Sequence, residues 1–434
     1  MRLVKIELVG LFNLFHHIIN LKKDERITIL TAPNGYGKTI TLKIIYNFFH
    51  QDFDFFIELA FRKIILSFDK ECSVEIQKLH SNQVKFILKQ SYEIIEHFMY
   101  SLEKRKISSN VLDEILPEYI SRISSNEWID KLRGDILSSN EVVTKYREYL
   151  PERILKTFNV DIPNRFLNLL QEFNVYLIQE QRLVLRQPIS NFKYRTEIVI
   201  TDTIEKYSTE LSQMIKQKIG EYAQITQSLD SSFPKRLFVQ TTQNIEIDDL
   251  KSRLKVLQEK RRKLSKYGLL KSEEENFFND TKIEQNEIKA LSLYITDNEE
   301  KLAVFDSLVD RIELFTKILN ERRFNFKKIE IDKDQGFVFK TKNDESLKLT
   351  DLSSGEQHEV VLLFELLFKV KENYLVLIDE PEISLHVVWQ KEFLNDIKEI
   401  IELQKIDVII ATHSPQIIND KWELTVDLGA SKVE

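Results

Sequence analysis

One short stretch restricts the fold of this chain more than any other feature. The apolar run 27–30 (ITIL) leads directly into 31–39 (TAPNGYGKT), and Leu42, Ile45 and Phe49 then recur with helical spacing. This order predicts a buried strand, a tight turn and an amphipathic helix, which is the beginning of an α/β fold. The residues of the turn indicate why the chain turns there.

The turn matches the phosphate-binding pattern G-x-x-x-x-G-K-[ST] except at its first position, where Ala32 replaces glycine. Gly35 and Gly37 let the backbone point its N–H groups toward an anion, Lys38 can reach the β- and γ-phosphates, and the Thr39 hydroxyl can ligate Mg²⁺. The helix that follows would direct its positive end at the same anion. Ala32 is tolerable if its φ is negative. A glycine-containing turn without a ligand is the structural alternative.

The remaining loop positions are assigned by the same pattern. We expect the backbone N–H groups of Asn34, Tyr36 and Ile40 to complete the phosphate-binding loop. Ile40 stands where many related loops carry a second hydroxyl, so it contributes a backbone N–H only. We expect Ala32 and Ile40 to tune affinity for the nucleotide rather than abolish binding.

Two further strand ends supply polar groups. The apolar segment 374–378 (YLVLI) ends at Asp379 and Glu380, and 408–412 (VIIAT) is followed by His413. A carboxylate at a strand end can hold Mg²⁺, the next one can deprotonate an attacking water, and the histidine can contact the γ-phosphate. Taken alone, each is also compatible with an ordinary acidic turn or a structural histidine.

A third motif, LSSGEQ at 352–357, precedes an apolar helix-like segment. Ser353 and Gly355 would lie at the N-terminus of that helix, where free backbone N–H groups bind anions. An ordinary helix N-cap is the structural alternative.

The order of these motifs resembles that of the ABC-type ATPases, whose signature LSGGQ is similar to LSSGEQ. Lys38 and Ser353 are about 315 residues apart, which disfavours a transporter subunit and resembles the SMC, RecF and OLD-like branch of AAA-family ATPases, whose heads are split by helical insertions. YLIQEQ at 176–181 resembles the Q-loop of that branch and implies that Gln179 contacts Mg²⁺. The combination of DEPEISLH at 379–386, WQ at 389–390 and THSPQII at 412–418 is similar to stand-alone ATPase subunits of anti-phage systems such as PARIS and Septu.

The resemblance implies a mechanism. ATP and Mg²⁺ would be the cofactors, Lys38, Glu380 and His413 the catalytic residues, and Thr39, Gln179 and Asp379 the metal ligands. Two chains would sandwich ATP as a homodimer, with Ser353 and Gly355 of one chain facing the phosphates of the other; a higher oligomer is left open.

The implied fold class is α/β: a P-loop ABC-type ATPase head, with a mixed β-sheet and an antiparallel β lobe, interrupted by large helical insertions and a short coiled-coil hairpin. The boundaries follow the motifs and the helical patterns. The predicted segments are an N-terminal head part (1–90), a helical insertion (91–173), the Q-loop segment (174–200), a helical or coiled-coil insertion (201–324) and a C-terminal head part (325–434). Pro234 is expected to break a helix, and the heptad-like pattern over 288–319 predicts one long helix that either forms a coiled coil or packs on the head.

Composition restricts the partners and the cellular compartment that we expect for this chain. A net charge of −7 gives no general support for nucleic-acid binding, a single cysteine at Cys72 suits the cytoplasm, and no apolar run approaches the roughly 18 residues of a membrane span. Few residues follow His413, so we expect the output to lie in a separately encoded nuclease or toxin that this ATPase regulates in antiviral defence. The alternative is a RecF- or SMC-like DNA-binding ATPase for repair or maintenance, and an inactive scaffold is disfavoured by the complete motifs.

Overall fold

The computed structural model divides the chain into two compact units. The first contains Met1–Thr203 and Glu365–Glu434, and the second contains Ile204–Phe364. The residues that the structure describes are 1–101, 112–113, 116–117, 119–124, 127–131, 136–138, 142, 145–146, 162–178, 183–191, 195–239, 247–271, 285–383 and 385–429.

An antiparallel sheet forms one layer of the first unit. Its six strands, in the spatial order β2-β1-β4-β5-β6-β7, are β1 (Leu3–Leu11), β2 (Phe15–Asn20), β4 (Lys63–Phe68), β5 (Cys72–His80), β6 (Gln83–Gln90) and β7 (Glu93–Ser101). Buried and partly exposed residues alternate along β4, as expected for a strand with one face on a core.

A parallel sheet forms a second layer. Its spatial order is β11-β17-β18-β3-β19, from β3 (Ile27–Thr31), β11 (Val175–Ile178), β17 (Leu375–Asp379), β18 (Asp407–Thr412) and β19 (Thr425–Asp427). All neighbouring strands are parallel, so their carboxyl ends lie at one edge. The strands are almost wholly apolar, as is usual when both faces of a parallel sheet are covered.

Helix α1 (Lys38–Phe49) lies between these sheets. It contacts β11, β17 and β18 on one side, while Phe48 stacks on Phe86 of β6 and Phe49 packs edge-on against Phe68 of β4. Each fully buried apolar side chain contributes about 1.5–3 kcal/mol relative to an exposed one. The loop that precedes α1 is therefore attached to a rigid element.

Shorter elements complete the first unit. They are α2 (Asp54–Glu58), β8 (Ile120–Arg122), β9 (Glu127–Asp130), β10 (Ile136–Ser138), α3 (Asn164–Glu172), β12 (Val184–Asn191), β13 (Arg195–Asp202), α9 (Val387–Gln390), α10 (Phe393–Gln404) and α11 (Pro415–Ile418).

The second unit is mainly helical and carries a small antiparallel sheet. Its elements are α4 (Thr203–Val239), α5 (Ile247–Lys266), α6 (Gln285–Ala303), α7 (Asp306–Lys317), a π-helical segment (Ile318–Arg323), β14 (Lys327–Asp332), β15 (Gly336–Thr341), β16 (Ser346–Leu347) and α8 (Ser354–Phe364). The hydroxyl of Ser208 on α4 donates to the carbonyl of Phe337 at 2.9 Å and accepts the Phe337 N–H at 3.0 Å. The turn between β14 and β15 approaches α4 so closely that a Cβ on Gly336 would meet the Ser208 carbonyl.

The structure confirms the predicted α/β fold class, with a parallel sheet, an antiparallel sheet and an inserted helical unit. Within 91–173, which was predicted to be helical, the described residues contain strands as well as helix α3. Residues 93–101 form β7, and 120–138 contain β8, β9 and β10. Phe98 and Tyr100 alternate with exposed residues, and Phe98 stacks on Phe86 of β6 at 4.7 Å. Cross-strand pairing therefore outweighs the helix-like apolar spacing of this segment.

Two predictions about the helices of the second unit are also wrong. Helix α4 continues through Pro234, where the side chain of Arg236 donates to the carbonyl of Leu229 at 2.8 Å and supplies a hydrogen bond near the proline. The single helix over 288–319 is interrupted between α6 and α7, where Phe305 is fully buried. Helices α5 and α6 contact each other, while a coiled coil stays a prediction. No described helix is both long and apolar enough to cross a membrane.

Candidate functional site

The loop between β3 and α1 has the backbone conformation that its glycines predict. Gly35 and Gly37 have φ angles of +87° and +91°, in the left-handed region that other residues adopt only with strain. Ala32 is not among the residues with positive φ, so alanine is tolerated where the usual pattern has glycine. Asn34 and Gly35 are exposed at the tip of the loop.

Lys38 begins α1 and is directed back across the loop. Its side chain is buried, and Nζ donates to the carbonyl oxygen of Ala32 at 2.9 Å. A cation held over a ring of backbone N–H groups is the arrangement that binds phosphate oxygens. The Thr41 hydroxyl donates to the Gly37 carbonyl at 2.8 Å and ties the loop to the first turn of the helix.

The antiparallel sheet supports the same loop. The buried His17 ring on β2 lies 2.9 Å from the Tyr36 carbonyl through Nε2, and Phe15 packs on the Tyr36 ring with centroids 5.1 Å apart. Burial lowers the pKa of His17, so the ring is neutral at neutral pH and Nε2–H donates to that carbonyl. Ile40 and Tyr36 also pack against the hydrophobic core, which gives Ile40 an apolar contact in place of a hydroxyl.

The two metal-ligand candidates Thr39 and Asp379 are in direct contact. Thr39 lies at the start of α1 and Asp379 at the end of β17, and the Thr39 hydroxyl donates to Oδ1 of Asp379 at 3.0 Å. They come together because the carboxyl ends of β3, β18 and β17 lie at one edge of the parallel sheet. A hydroxyl and a carboxylate beside a phosphate loop are the protein ligands that Mg²⁺ uses in P-loop sites.

Glu380 has an unusual backbone conformation. Its φ is +42°, which is rare for a residue with a side chain, and its N–H donates to the Ala411 carbonyl of β18 at 2.8 Å. Strained residues of this kind concentrate at functional sites. The half-buried carboxylate of Glu380 lies 3.8 Å from Nδ1 of His413, whose ring is about half exposed.

The signature residues Ser353 and Gly355 belong to the second unit, at the start of α8. The Ser353 N–H and hydroxyl donate to the Glu356 carboxylate at 2.8 and 2.9 Å, which resembles a capping box, and Lys327 Nζ contacts the same carboxylate at 2.8 Å. Burial raises the pKa of the Glu356 carboxyl, but the hydrogen bonds from Lys327 and Ser353 outweigh it and leave the pKa below its usual value. Sequence analysis assigned no role to Glu356.

The structure therefore groups Lys38, Thr39, Asp379, Glu380 and His413 at one edge of the parallel sheet. The expected Q-loop residue Gln179 lies outside the described residues. Among those described, no three His, Cys, Asp or Glu side chains form a metal site by themselves, so a metal here would draw its remaining ligands from phosphate and water. The residues present fit a Mg²⁺–nucleotide complex.

Comparison with known proteins agrees with this geometry. The sequence profile of a family described as the AAA ATPase domain matches residues 1–418. The chain belongs to this family. The predicted AAA-family ATPase is thereby confirmed, and nucleotide binding and ATPase activity in general follow from membership of the AAA ATPase family.

Other similarities of this AAA ATPase are more distant. Protein ea59 of Escherichia phage lambda is 32% identical over 114 residues, which cover 26% of this chain and only 21% of the length of that protein. An SMC head domain bound to the C-terminal domain of ScpA from Pyrococcus furiosus is 13% identical, with a TM-score of 0.37 and coverage of 100% of this chain and 96% of that one. The SMC head domain from Thermotoga maritima is 12% identical, with a TM-score of 0.34 and coverage of 100% of this chain and 98% of that one.

One functional group escaped sequence analysis. Glu382, two residues after Glu380, has a buried carboxylate that contacts Thr412 and His413, about 30 positions away in the chain. The motif DEPE contains this residue, but no local pattern predicts where its side chain lies.

Proposed function

We propose that this chain binds ATP together with Mg²⁺ at the edge of the parallel sheet and hydrolyses it. The contact that carries the proposal is the hydrogen bond from Thr39 to Asp379 at 3.0 Å between residues 340 positions apart. It joins the phosphate loop to the acidic strand end, as a magnesium–nucleotide site requires.

Each residue then has a separate task. Backbone N–H groups of the loop bind phosphate oxygens, and Lys38 exchanges the Ala32 carbonyl for the β- and γ-phosphates. Mg²⁺, when bound, would neutralise the negative charge of the phosphates. Glu380 accepts the proton of the attacking water, and His413 contacts the γ-phosphate end.

Two variants test these roles. Lys38→Ala is expected to weaken ATP binding, because the phosphates lose their cation. Glu380→Gln is expected to keep ATP affinity and lose hydrolysis, because an amide cannot accept the proton. Nucleotide affinity and turnover are measured for both variants, with Mg²⁺ and with a chelator. Equal loss of binding in both variants would contradict the assigned roles.

We further propose that ATP binding joins two copies of the chain. Ser353 and Gly355 of one copy would meet the phosphates held by Lys38 of the other, in a symmetric pair. The support is an exposed apolar surface directly after the acidic strand end: Ile383, Val387 and Val388 are all more than half exposed. Apolar side chains grouped beside a catalytic glutamate suit burial against a second copy.

A mixture of two inactive variants tests this arrangement. Ser353→Arg is expected to leave ATP binding intact and to block hydrolysis, because arginine obstructs the site that it faces on the other chain. Mixing it in equal amounts with Lys38→Ala should restore about a quarter of the activity, since half of the pairs are mixed and one of their two sites is intact. A mixture without any recovery would contradict a site shared between chains.

The output of the cycle is proposed to be control of a separately encoded nuclease or toxin in bacterial antiviral defence. The support is the resemblance of DEPEISLH at 379–386 to stand-alone ATPase subunits of anti-phage systems, together with the net charge of −7. The test is co-purification with the products of adjacent genes, followed by phage challenge of cells with Glu380→Gln. Nuclease activity of this chain alone, lost in Glu380→Gln, would contradict the proposal.

One observation favours the alternative, a RecF- or SMC-like ATPase that binds DNA. Lys251, Lys255, Arg262 and Lys266 of α5 are exposed and follow one another at intervals of four or seven residues, so they share one side of the helix. Such a row can contact successive phosphates. Duplex DNA binding is measured against salt concentration for the wild type and for Lys255→Glu with Arg262→Glu. Binding that depends on these residues would favour the alternative.

A further inference from the structure

A buried carboxylate lies next to the candidate active site. The side chain of Glu382 is 6% exposed, and its Oε1 accepts hydrogen bonds from the Thr412 hydroxyl at 2.6 Å and from the His413 N–H at 2.9 Å. Nδ1 of the His413 ring lies 3.1 Å from the same oxygen. All three contacts of Glu382 are therefore made to the end of β18, where the histidine is held.

The second oxygen of Glu382 has a cost in stability. Oε2 is buried and has no hydrogen-bond partner. An unsatisfied buried acceptor costs about 1–3 kcal/mol, a cost that an apolar side chain of the same volume would avoid. A side chain that carries this cost while directing its other oxygen at one neighbour is best explained by its effect on that neighbour.

The contact determines which atom of His413 is available. Nδ1 of His413 lies 3.1 Å from Oε1 of Glu382, so a lone pair on Nδ1 would face a carboxylate oxygen and a proton on Nδ1 is favoured. Nε2 lies on the far side of the ring and stays available for the nucleotide. Glu380 is 3.8 Å from Nδ1, beyond hydrogen-bond distance, so Nδ1–H of His413 faces Glu382 and the Glu380 carboxylate is left for the attacking water.

A second side chain fixes the same segment. Gln390 is buried, and its Nε2 donates to the carbonyls of Glu382 at 3.2 Å and Leu385 at 3.1 Å, while its Oε1 accepts from the Ser414 hydroxyl at 2.9 Å. The segment after β17 is thus tied to the residues on both sides of His413. Such a network holds a ring in one orientation more firmly than a single contact does.

We propose that Glu382 is a positioning residue that fixes the tautomer and orientation of His413 for ATP hydrolysis. The inference rests on the proposed function, in which His413 contacts the γ-phosphate of ATP. Because Glu382 is assigned to act through His413, its removal should lower kcat with little effect on KM.

A double-mutant cycle tests the proposal. Glu382→Leu, His413→Ala and the combined variant are compared with the wild type in kcat and KM for ATP. We expect each single variant to lose on the order of tenfold in kcat, and the combined variant to be no slower than His413→Ala, because residues that act as one unit are not additive. Glu382→Gln, whose amide oxygen still accepts the same hydrogen bonds, should stay within about threefold of the wild type.

The outcomes separate this proposal from the previous one. Losses that multiply in the combined variant overturn the positioning role of Glu382 alone, while the ATPase proposal stands. Wild-type kcat in His413→Ala removes the histidine from the reaction and overturns both the positioning role of Glu382 and the role of His413, while ATP hydrolysis itself stands. The ring tautomer gives a readout without turnover: ¹⁵N NMR of the wild type, with His413→Ala for assignment, should show the Nδ1–H form. An Nε2–H ring in the wild type would overturn the proposal even if a variant fails to fold.

Discussion

Replacing Gly37 with alanine should impair the phosphate loop by an amount that follows from its backbone. The residue has a φ of +91°, and a left-handed conformation costs a residue with a Cβ about 1–2 kcal/mol. The added Cβ would also lie 2.8 Å from Cδ2 of Leu11, which can move because it is the end of a flexible side chain. If the free loop relaxes and must regain this conformation to bind phosphate, ATP affinity falls about 5- to 30-fold.

The assay is ATP titration by calorimetry, together with the thermal unfolding midpoint. Gly35→Ala is a matched control, because its φ is +87° but its Cβ would meet no atom within 4 Å, so it shows the backbone cost alone. Gly220→Ala, within helix α4, should be neutral or stabilising by about 0.5–1 kcal/mol. The reasoning is refuted if Gly37→Ala changes neither affinity nor stability, since the strain must appear in one of them.

Three further predictions concern the second unit. Burial raises the pKa of Glu356, but Lys327 and Ser353 outweigh it and lower the pKa, so the ionised side chain should stabilise the fold above pH 4.5. This stabilisation should be lost as the pH falls through the lowered pKa, so the difference in unfolding free energy between the wild type and Glu356→Gln should shrink in acid. Glu359→Leu should destabilise the fold by about 3–5 kcal/mol in urea unfolding, because it removes the carboxylate 2.6 Å from the buried guanidinium of Arg323, which is 1% exposed. Adding Arg323→Met should recover most of this loss, because it removes the buried charge as well. Pro234→Ala should raise the melting temperature, by an amount equivalent to at most about 3 kcal/mol, and a lower melting temperature would show that α4 needs the proline.

The phosphate loop could be predicted because its information is local. Gly35, Gly37 and Lys38 are neighbours in the chain, and their types are required by the backbone and charge of the loop itself. Asp379 and His413 were predictable as strand-end residues, since parallel strands bring their carboxyl ends to one edge. Whether their assigned roles hold depends on the variants proposed above.

Other features depend on contacts that no local pattern contains. The strand Glu93–Ser101 has apolar residues at helix-like intervals, and only its pairing with β6 decides the outcome. Helix α4 continues through Pro234, where the local pattern predicts a break. Glu382 was missed for the same reason, because its partners Thr412 and His413 lie in another strand's end segment.

The position of strand β3 inside the parallel sheet has a consequence for how the protein is made. Strand β3 lies between β18 and β19, so Ile27 pairs with Val408, which is synthesised only after the whole helical unit. Until then the strand that leads into the phosphate loop has no neighbour in its sheet, and closing so long a stretch of chain is slow. The helical unit therefore has time to fold before the strand that leads into the phosphate loop can pair, so the nucleotide site is completed after the helical unit.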